Sequence, residues 1–400
     1  MKVIVIDEWF PWPLESGKKI RTYNLITRLA KEYEIIYLAY ANLSIEQEKA
    51  TELERRGIKT IAVNDCRIKK WTIPFYLSVI MNFFSSKPYS TYYHIKKDFI
   101  SKLKETIEQE NPQLIHCEWT NLAPFLEYVD KIPTVITAHN IESDIWYRLA
   151  SSGGNIFSRM VGRNQAHKIE KLERQWYPKV NLCIAVSDED KKIIESYGAS
   201  ASIVENGVDV NYYSQIVSEA EDYSIAFTAS FDTFSNQDGA YYFIEEIYPL
   251  IKQKQPHAKL KLIGKSPPER FWKYAQDDSS IFVSGTIPDI RTELSRALVS
   301  IVPLRIGGGT RLKILEALAM KKPVVSTSIG AEGLKVSNGS NILLADTPED
   351  FALAVLKCLS DRHLRSILAE NGWKLVNTQY DWSFLAHKQS QLWHSIINNF

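Results

Sequence analysis

The segment of this sequence best equipped for chemistry is a glycine-rich turn followed by two cations and a carboxylate. After the β-branched run Val299–Val302 come Pro303, Leu304, Arg305 and Ile306, then Gly307, Gly308, Gly309, Thr310, Arg311, Leu312 and Lys313, with Glu316 three residues on. Three glycines remove side chains where a helix begins, and Thr310 is a suitable N-cap. Exposed amides at a helix start make a natural anion site. Arg311 and Lys313 fall in the first turn, where the helix dipole disfavours cations by about a few tenths of a kcal/mol. An anion in front of the helix makes the same placement favourable. On a helical wheel Leu312, Ile314, Leu315, Leu318 and Ala319 form the buried stripe, and Glu316 falls at its edge. The same residues also fit a turn capping an ordinary helix, with Arg311 and Lys313 solvated and Glu316 in a surface ion pair. The phosphate-loop spacing of glycines, lysine and Ser/Thr is missing, and Met1–Arg21 lacks the dinucleotide fingerprint expected after a first strand.

Two further places carry candidate groups. His139 follows the apolar run Thr134–Thr137, and Glu142 stands one turn beyond it. By itself such a histidine reads as a capping or core residue, and Glu142 reads equally as holding the ring or as belonging to the next helix. Gly17 precedes a helical pattern whose first turn carries Lys18, Lys19 and Arg21. Cations again stand at the positive end of a dipole, so either a phosphate sits there or the basic face is solvated.

The elements that position these residues alternate along the whole chain. Strands are expected at Val3–Ile6, Ile35–Tyr40, Thr60–Val63, Leu114–Cys117, Thr134–Thr137 and Leu182–Val186, with a short one near Ser202–Val208. Asn206-Gly207 is a turn signal, and a second series follows at Ile225–Thr228, Lys259–Ile263, Ile281–Val283, Val299–Val302, Pro323–Ser326 and Ile342–Leu344. Helical periodicity fills the gaps, as at Lys18–Lys31 and Phe99–Gln109. Strand–helix alternation means parallel sheets with crossover helices. The expected organisation is therefore α/β, with two doubly wound, Rossmann-like domains. Residues just beyond the strands' carboxyl ends are where ligands bind in such sheets.

Composition excludes several classes. Lys plus Arg (48) nearly cancel Asp plus Glu (47), so the basic excess of a nucleic-acid binder is lacking. Cys66, Cys117, Cys183 and Cys358 show no zinc or disulfide spacing. No apolar stretch reaches the roughly 18 residues of a membrane span. With the first strand opening at Lys2 and no signal peptide before it, the chain is expected to be cytoplasmic.

The order of motifs resembles family 4 retaining glycosyltransferases. The resemblance rests on Glu316–Thr327 and on Phe10-Pro11-Trp12-Pro13 with Gly17 and Arg21. It extends through Thr137–Glu142, Val186-Ser187-Asp188, Glu205–Asp209, Phe227–Asp232 with Asn236–Gly239, and Gly285–Asp289, nearly the full chain. It implies the GT-B fold, two Rossmann-like domains facing across a cleft. Domain limits are then expected at 1–205 (acceptor side), 206–378 (nucleotide-sugar side) and a helix over 379–400 packing back on the first domain. It implies a nucleoside-diphosphate sugar as donor and a glycan, glycolipid or other hydroxyl as acceptor, with surface polysaccharide or glycolipid assembly as the setting. Glu316 would bind the ribose hydroxyls and Ile287 would lie near the base. Arg311 and Lys313 would neutralise the diphosphate, the amides of Gly307, Gly308 and Gly309 would support phosphates or sugar, and His139 would face the donor sugar. The departing β-phosphate would take the nucleophile's proton. No DxD appears in the donor loops, so neither metal nor cofactor is expected, and Asp188-Glu189-Asp190 reads as favourable capping of a helix.

The sequence departs from the family at two points. The family pairs two glutamates eight residues apart, and Gly308 stands eight before Glu316. The usual Arg and Lys after the first strand of the second domain are also missing from Ser230–Phe234. Two other functions therefore stand beside transfer: a nucleotide-sugar isomerase or epimerase on the same fold, which needs no acceptor, and a non-catalytic nucleotide-sugar-binding subunit. Finally, Trp71–Phe84 is apolar and flanked by Arg67, Lys69, Lys70 and Lys87. It reads either as an interfacial segment in peripheral contact with the inner face of a membrane or as a core helix and loop lining the acceptor cleft.

Overall fold

The computed structural model describes residues 1–65, 67–68, 72–151, 156–306 and 312–400; of residues 43–45, 156 and 157 it describes the backbone alone. The chain divides into two compact units, Met1–Glu205 with Leu385–Phe400, and Asn206–Phe384.

In the first unit seven strands form one sheet: β1 (Lys2–Ile6), β2 (Glu34–Tyr40), β3 (Lys59–Val63), β4 (Leu114–Cys117), β5 (Thr134–Ala138), β6 (Leu182–Ala185) and β7 (Ala201–Ile203). All neighbours pair in parallel, in the order β3-β2-β1-β4-β5-β6-β7. Helices cover both faces of such a sheet, so its central strands read as unbroken apolar runs. Val3–Ile6 and Ile35–Ala39 are accordingly fully buried. The chain changes winding direction between β1 and β4, the switch point where a doubly wound sheet opens a crevice. Ile6 pairs with Cys117, so the two strands end level and their next residues face the same crevice.

The second unit repeats the plan with β8 (Ser224–Thr228), β9 (Lys259–Ile263), β10 (Ile281–Val283), β11 (Val299–Val302), β12 (Val324–Ser326) and β13 (Leu343–Leu344). The order is β10-β9-β8-β11-β12-β13, again parallel, with the switch between β8 and β11. The loops at this edge pack tightly. Gly264 has φ +144°, and a Cβ there would lie 1.8 Å from the Ala229 carbonyl oxygen, so only glycine lets the turn after β9 press on the turn after β8.

The helix Trp382–Asn399 ends the chain, and its part from Leu385 onward belongs to the first unit. Its buried stripe is Leu385, Ala386, Gln389, Ser390 and Trp393. Tyr33 fixes it by donating to the Ser390 carbonyl at 3.0 Å, while its ring lies edge-on to Trp393 with centroids 5.3 Å apart.

The apolar segment before residue 84 forms the helix Ile73–Phe83, and the expectation of a core helix there is corrected. Its inward face is polar: Ser78 and Asn82 are buried, Ser78 Oγ lies 3.0 Å from the Tyr89 hydroxyl, and Asn82 accepts from Gln165 Nε2 at 3.1 Å. Ile73, Tyr76, Leu77, Ile80, Met81 and Phe84 face outward. Helical spacing puts apolar residues on one face, whichever way that face points. None of the described helices is long and apolar enough to cross a membrane.

Candidate functional site

In the first unit the crevice between β1 and β4 holds a buried set of ionisable groups. Glu118 follows β4 and His139 follows β5, both at the carboxyl edge. The Nε2 of His139 lies 2.9 Å from the Glu118 carbonyl oxygen and 3.2 Å from its carboxylate Oε2. Both partners are acceptors, so Nε2 carries the proton. Burial holds the imidazole below its ordinary pKa although Glu118 pulls the other way. A neutral ring protonated at Nε2 leaves Nδ1 as an acceptor.

Glu118 is held in turn. Burial opposes its ionisation, but the imidazoles of His116 and His139 and the Arg21 guanidinium outweigh this and keep the carboxyl at about 2. Thr22 Oγ1 donates to its Oε2 at 3.3 Å. His116 is fully buried, and burial keeps its ring at about 4. Trp393 donates to His116 Nδ1 at 3.1 Å, so the proton of the neutral ring is on Nε2, 2.7 Å from Thr137 Oγ1.

The cations at the start of the helix Gly17–Leu29 find partners within the protein. Lys18 bonds Asp7 Oδ1 at 2.6 Å and Glu8 Oε1 at 3.0 Å, both just after β1, and Tyr37 donates to Asp7 Oδ2 at 2.6 Å. Burial of Lys18 is outweighed by these two carboxylates, and its pKa is raised. Lys19 pairs with Glu15 at 3.1 Å, and buried Arg21 donates to the Glu205 carbonyl at 2.6 Å. Their unfavourable dipole position is thus offset by the protein's own acceptors. Gly17 is the first residue of this helix, exposed beside its N-cap Ser16.

In the second unit the helix Leu312–Ala319 follows β11 at the switch point. Lys313, in its first turn, donates from Nζ to Asn236 Oδ1 at 2.7 Å and lies 4.8 Å from the centre of the Phe227 ring. Asn236 belongs to the helix after β8 and also donates to the Ser230 carbonyl at 2.7 Å. The groups at the ends of β8 and β11 therefore meet through Lys313. Glu316, one turn further, is partly buried, with Tyr213 as an electrostatic neighbour of its carboxylate. Burial raises its pKa, with Tyr213 and Lys313 opposing. Ile287 lies in the loop after β10, partly buried against the second unit's core.

Of the expected site residues, Lys313 and Glu316 stand together in the second unit and His139 and Gly17 lie at the carboxyl edge of the first. Gly307, Gly308, Gly309, Thr310 and Arg311 lie outside the described residues. Glu142 does not hold the His139 ring: it opens the helix Glu142–Ser151 and accepts from Trp119 Nε1 at 2.9 Å. Glu118 does, and sequence reasoning passed over it. The available signal was its position directly after a strand at the switch point. Asp7, Glu8 and Tyr213 were missed for want of any local motif. Among the described residues no group of three or more His, Cys, Asp or Glu gathers in a way that could hold a metal ion.

Comparison with known proteins places this geometry. The family model for Glycosyltransferase Family 4 matches residues 16–212, and that for Glycosyl transferases group 1 matches residues 222–361. An uncharacterized glycosyltransferase of Methanocaldococcus jannaschii is 25% identical over 293 residues, 70% of this chain and 74% of that one. An uncharacterized 44.6 kDa protein in the cps region of Klebsiella pneumoniae is 23% identical over 154 residues, 37% of this chain. The matched region spans 40% of that relative and 42% of a glycosyltransferase 1 domain-containing protein from Xenopus tropicalis. Among solved structures, sucrose-phosphate synthase from Thermosynechococcus elongatus aligns with TM-score 0.70 at 15% identity over the full length of both chains. Anabaena HepE, crystallised with UDP and glucose, aligns with TM-score 0.65 at 14% identity, covering 99% of this chain and 100% of that one. Both units thus have the sheets of the GT-B fold, and with one family model on each, the chain belongs to the family 4, group 1 glycosyltransferases.

Proposed function

We propose that this chain moves a sugar from a nucleoside-diphosphate sugar to a hydroxyl acceptor with retention of configuration at the anomeric carbon, in surface polysaccharide or glycolipid assembly. The observation that carries the reading is the pairing of Lys313 and Glu316 one turn apart on the helix that follows the β8/β11 switch point. A cation in a first helical turn beside a partly buried carboxylate suits a ligand with a diphosphate at one end and a ribose diol at the other. Lys313 would neutralise the diphosphate and Glu316 would accept from the ribose hydroxyls. Ile287 would pack against the base. Gly17, Gly307, Gly308, Gly309, Thr310 and Arg311 are proposed to complete the donor site.

In the reaction the bond between the anomeric carbon and the diphosphate oxygen breaks, and the acceptor oxygen bonds to the same face of that carbon. The acceptor's proton passes to the departing β-phosphate, whose growing charge Lys313 and Arg311 stabilise. His139 supports this chemistry as an acceptor: with Nε2–H committed to Glu118, Nδ1 takes a hydrogen bond from a donor-sugar hydroxyl and so orients the anomeric centre. Neither metal nor cofactor enters the scheme. HepE's complex with UDP and glucose makes uridine nucleotides the first donors to test.

The test is incubation with uridine- and guanosine-diphosphate sugars and a set of hydroxyl acceptors, with the product's anomeric configuration read by proton NMR. An acceptor-dependent product with the donor's configuration is expected. An inverted product, or conversion of the donor without any acceptor, would contradict retaining transfer.

A further inference from the structure

The helix Ile73–Phe83 is built inside out. Ile73, Tyr76, Leu77, Ile80, Met81 and Phe84 recur at the 3.6-residue period, which gathers them on one face. That face points away from the protein, with Ile73 77%, Met81 75% and Phe84 85% exposed. The face turned inward is anchored by polar contacts instead. Asn82 Nδ2 donates to the Lys87 carbonyl at 3.1 Å, and Lys168 Nζ reaches the Asn82 and Phe83 carbonyls at 2.7 and 3.1 Å. The orientation is therefore held from beneath, and a contiguous apolar stripe of this kind marks an interaction surface.

Charge says what covers it. The chain as a whole is nearly neutral, yet between Asp65 and Asp98 the sequence has no acidic residue and carries Arg67, Lys69, Lys70, Lys87, Lys96 and Lys97. The helix Ile156–Trp176 packs against this element through Asn164, Gln165 and Lys168. The stretch between Asp144 and Glu170 that contains its first half is likewise free of acidic residues and carries Arg148, Arg159, Arg163 and Lys168.

A cavity of about 220 Å³ opens beside the end of the stripe, its wall formed in part by Ser86, Lys87 and Pro88, which follow Phe84 closely. Lys87, Lys168 and Lys171 line it against the one carboxylate of Glu127. Thr91 also lines it, and its buried hydroxyl has no hydrogen-bond partner among the described residues. With Lys168 already engaged by the Asn82 and Phe83 carbonyls, Lys87 and Lys171 are the lysines of this wall suited to a phosphate.

We propose that this unit docks on an anionic phospholipid bilayer, the Ile73–Phe84 stripe entering the acyl boundary and the lysine-lined cavity taking a lipid phosphate. An apolar face flanked by Lys and Arg is the pattern of a helix lying in the membrane interface, and basic residues near an anionic leaflet add to its hold. The docking does not depend on the transferase reading.

The test is flotation of the full chain with vesicles of phosphatidylcholine alone and of equal parts phosphatidylcholine and phosphatidylglycerol. Wild type should float with the mixed vesicles and much less with the neutral ones. Ile80→Ser/Met81→Ser/Phe84→Ser should cut partitioning by roughly tenfold or more, with an unchanged melting temperature because these side chains are exposed. Lys87→Ala/Lys171→Ala should cut binding to the mixed vesicles by roughly tenfold, with less effect on neutral ones. Absence of wild-type flotation, or equal flotation of the triple serine variant, would overturn the proposal. So would a vesicle-independent dimer that the triple variant dissociates, since a second copy would then be the occupant. Nucleoside-diphosphate binding, measured on the same variants, reports on the donor site separately.

Discussion

His139 is held by Glu118 twice, through the main-chain carbonyl at 2.9 Å and the carboxylate at 3.2 Å. The ring's tautomer and direction are thereby set from the strand next to its own, since Glu118 follows β4 and His139 follows β5. Glu118 itself stays ionised despite its burial because the imidazoles of His116 and His139 and the Arg21 guanidinium act on it. The arrangement leaves Nδ1, the atom proposed to meet the donor sugar, as an acceptor.

Replacing Glu118 by Gln tests this arrangement. The loss of its carboxylate leaves the His139 ring less well aimed, and turnover is expected to fall about a hundredfold. The carboxylate also favours the imidazolium, so its removal moves the His139 pKa further down, and the acid limb of the pH–rate profile should shift to lower pH. A loss of stability should accompany this, because Arg21 loses a buried counter-charge. An acid limb that stays in place while turnover falls would mean that Glu118 acts only on the fold.

Lys313 is expected to discriminate by charge. Lys313→Ala should weaken a nucleoside diphosphate by about tenfold, the loss of one charge-assisted hydrogen bond, and leave the free nucleoside unchanged. Titration calorimetry with both ligands makes the comparison. Equal losses for nucleoside and diphosphate would place Lys313 away from the phosphates.

Glu173 supplies a pH signature of stability. It is fully buried, and Ser143 donates to it from N at 3.2 Å and from Oγ at 2.5 Å. Burial lifts its pKa to about 7 against these hydrogen bonds. Between about pH 4.5 and 7 the unfolded chain has released this proton while the folded chain retains it, so this group's contribution to stability falls as pH rises through that window and levels off above it. Glu173→Gln removes the fall and should stabilise the protein by about 1–3 kcal/mol at about pH 8, with little effect below about pH 4.5. Denaturant melts at the two pH values check it, and a gain of equal size at both would contradict the shifted carboxyl.

Much of the fold was legible because parallel strands buried on both faces leave β-branched runs that need no tertiary information. Lys259–Ile263, Ile281–Val283 and Val299–Val302 were located to the residue. What escaped was non-local. The cations Lys18 and Arg21 are answered by Asp7, Glu8 and Glu205, whose proximity exists only after folding. The helix Ile73–Phe83 shows the same limit, because periodicity finds an apolar face without saying whether protein covers it. In the terminal helix, Gln389 and Ser390 occupy the middle of the buried stripe, where an apolar pattern alone does not place them.

Glu316 is proposed to receive the ribose of a nucleoside diphosphate, and ligand-induced thermal stabilisation of wild type and Glu316→Gln measures that role. A ligand that binds only the folded state raises the melting temperature by mass action. Wild type should be stabilised by the diphosphate of one base above the others. The variant should need about ten to a hundred times more ligand for the same shift, the loss of a charged hydrogen-bond acceptor. Its ligand-free stability should be equal or higher, because burial already disfavours the Glu316 carboxylate. Stabilisation of both proteins to the same degree, or of neither by any nucleoside diphosphate at millimolar concentration, would contradict the assignment.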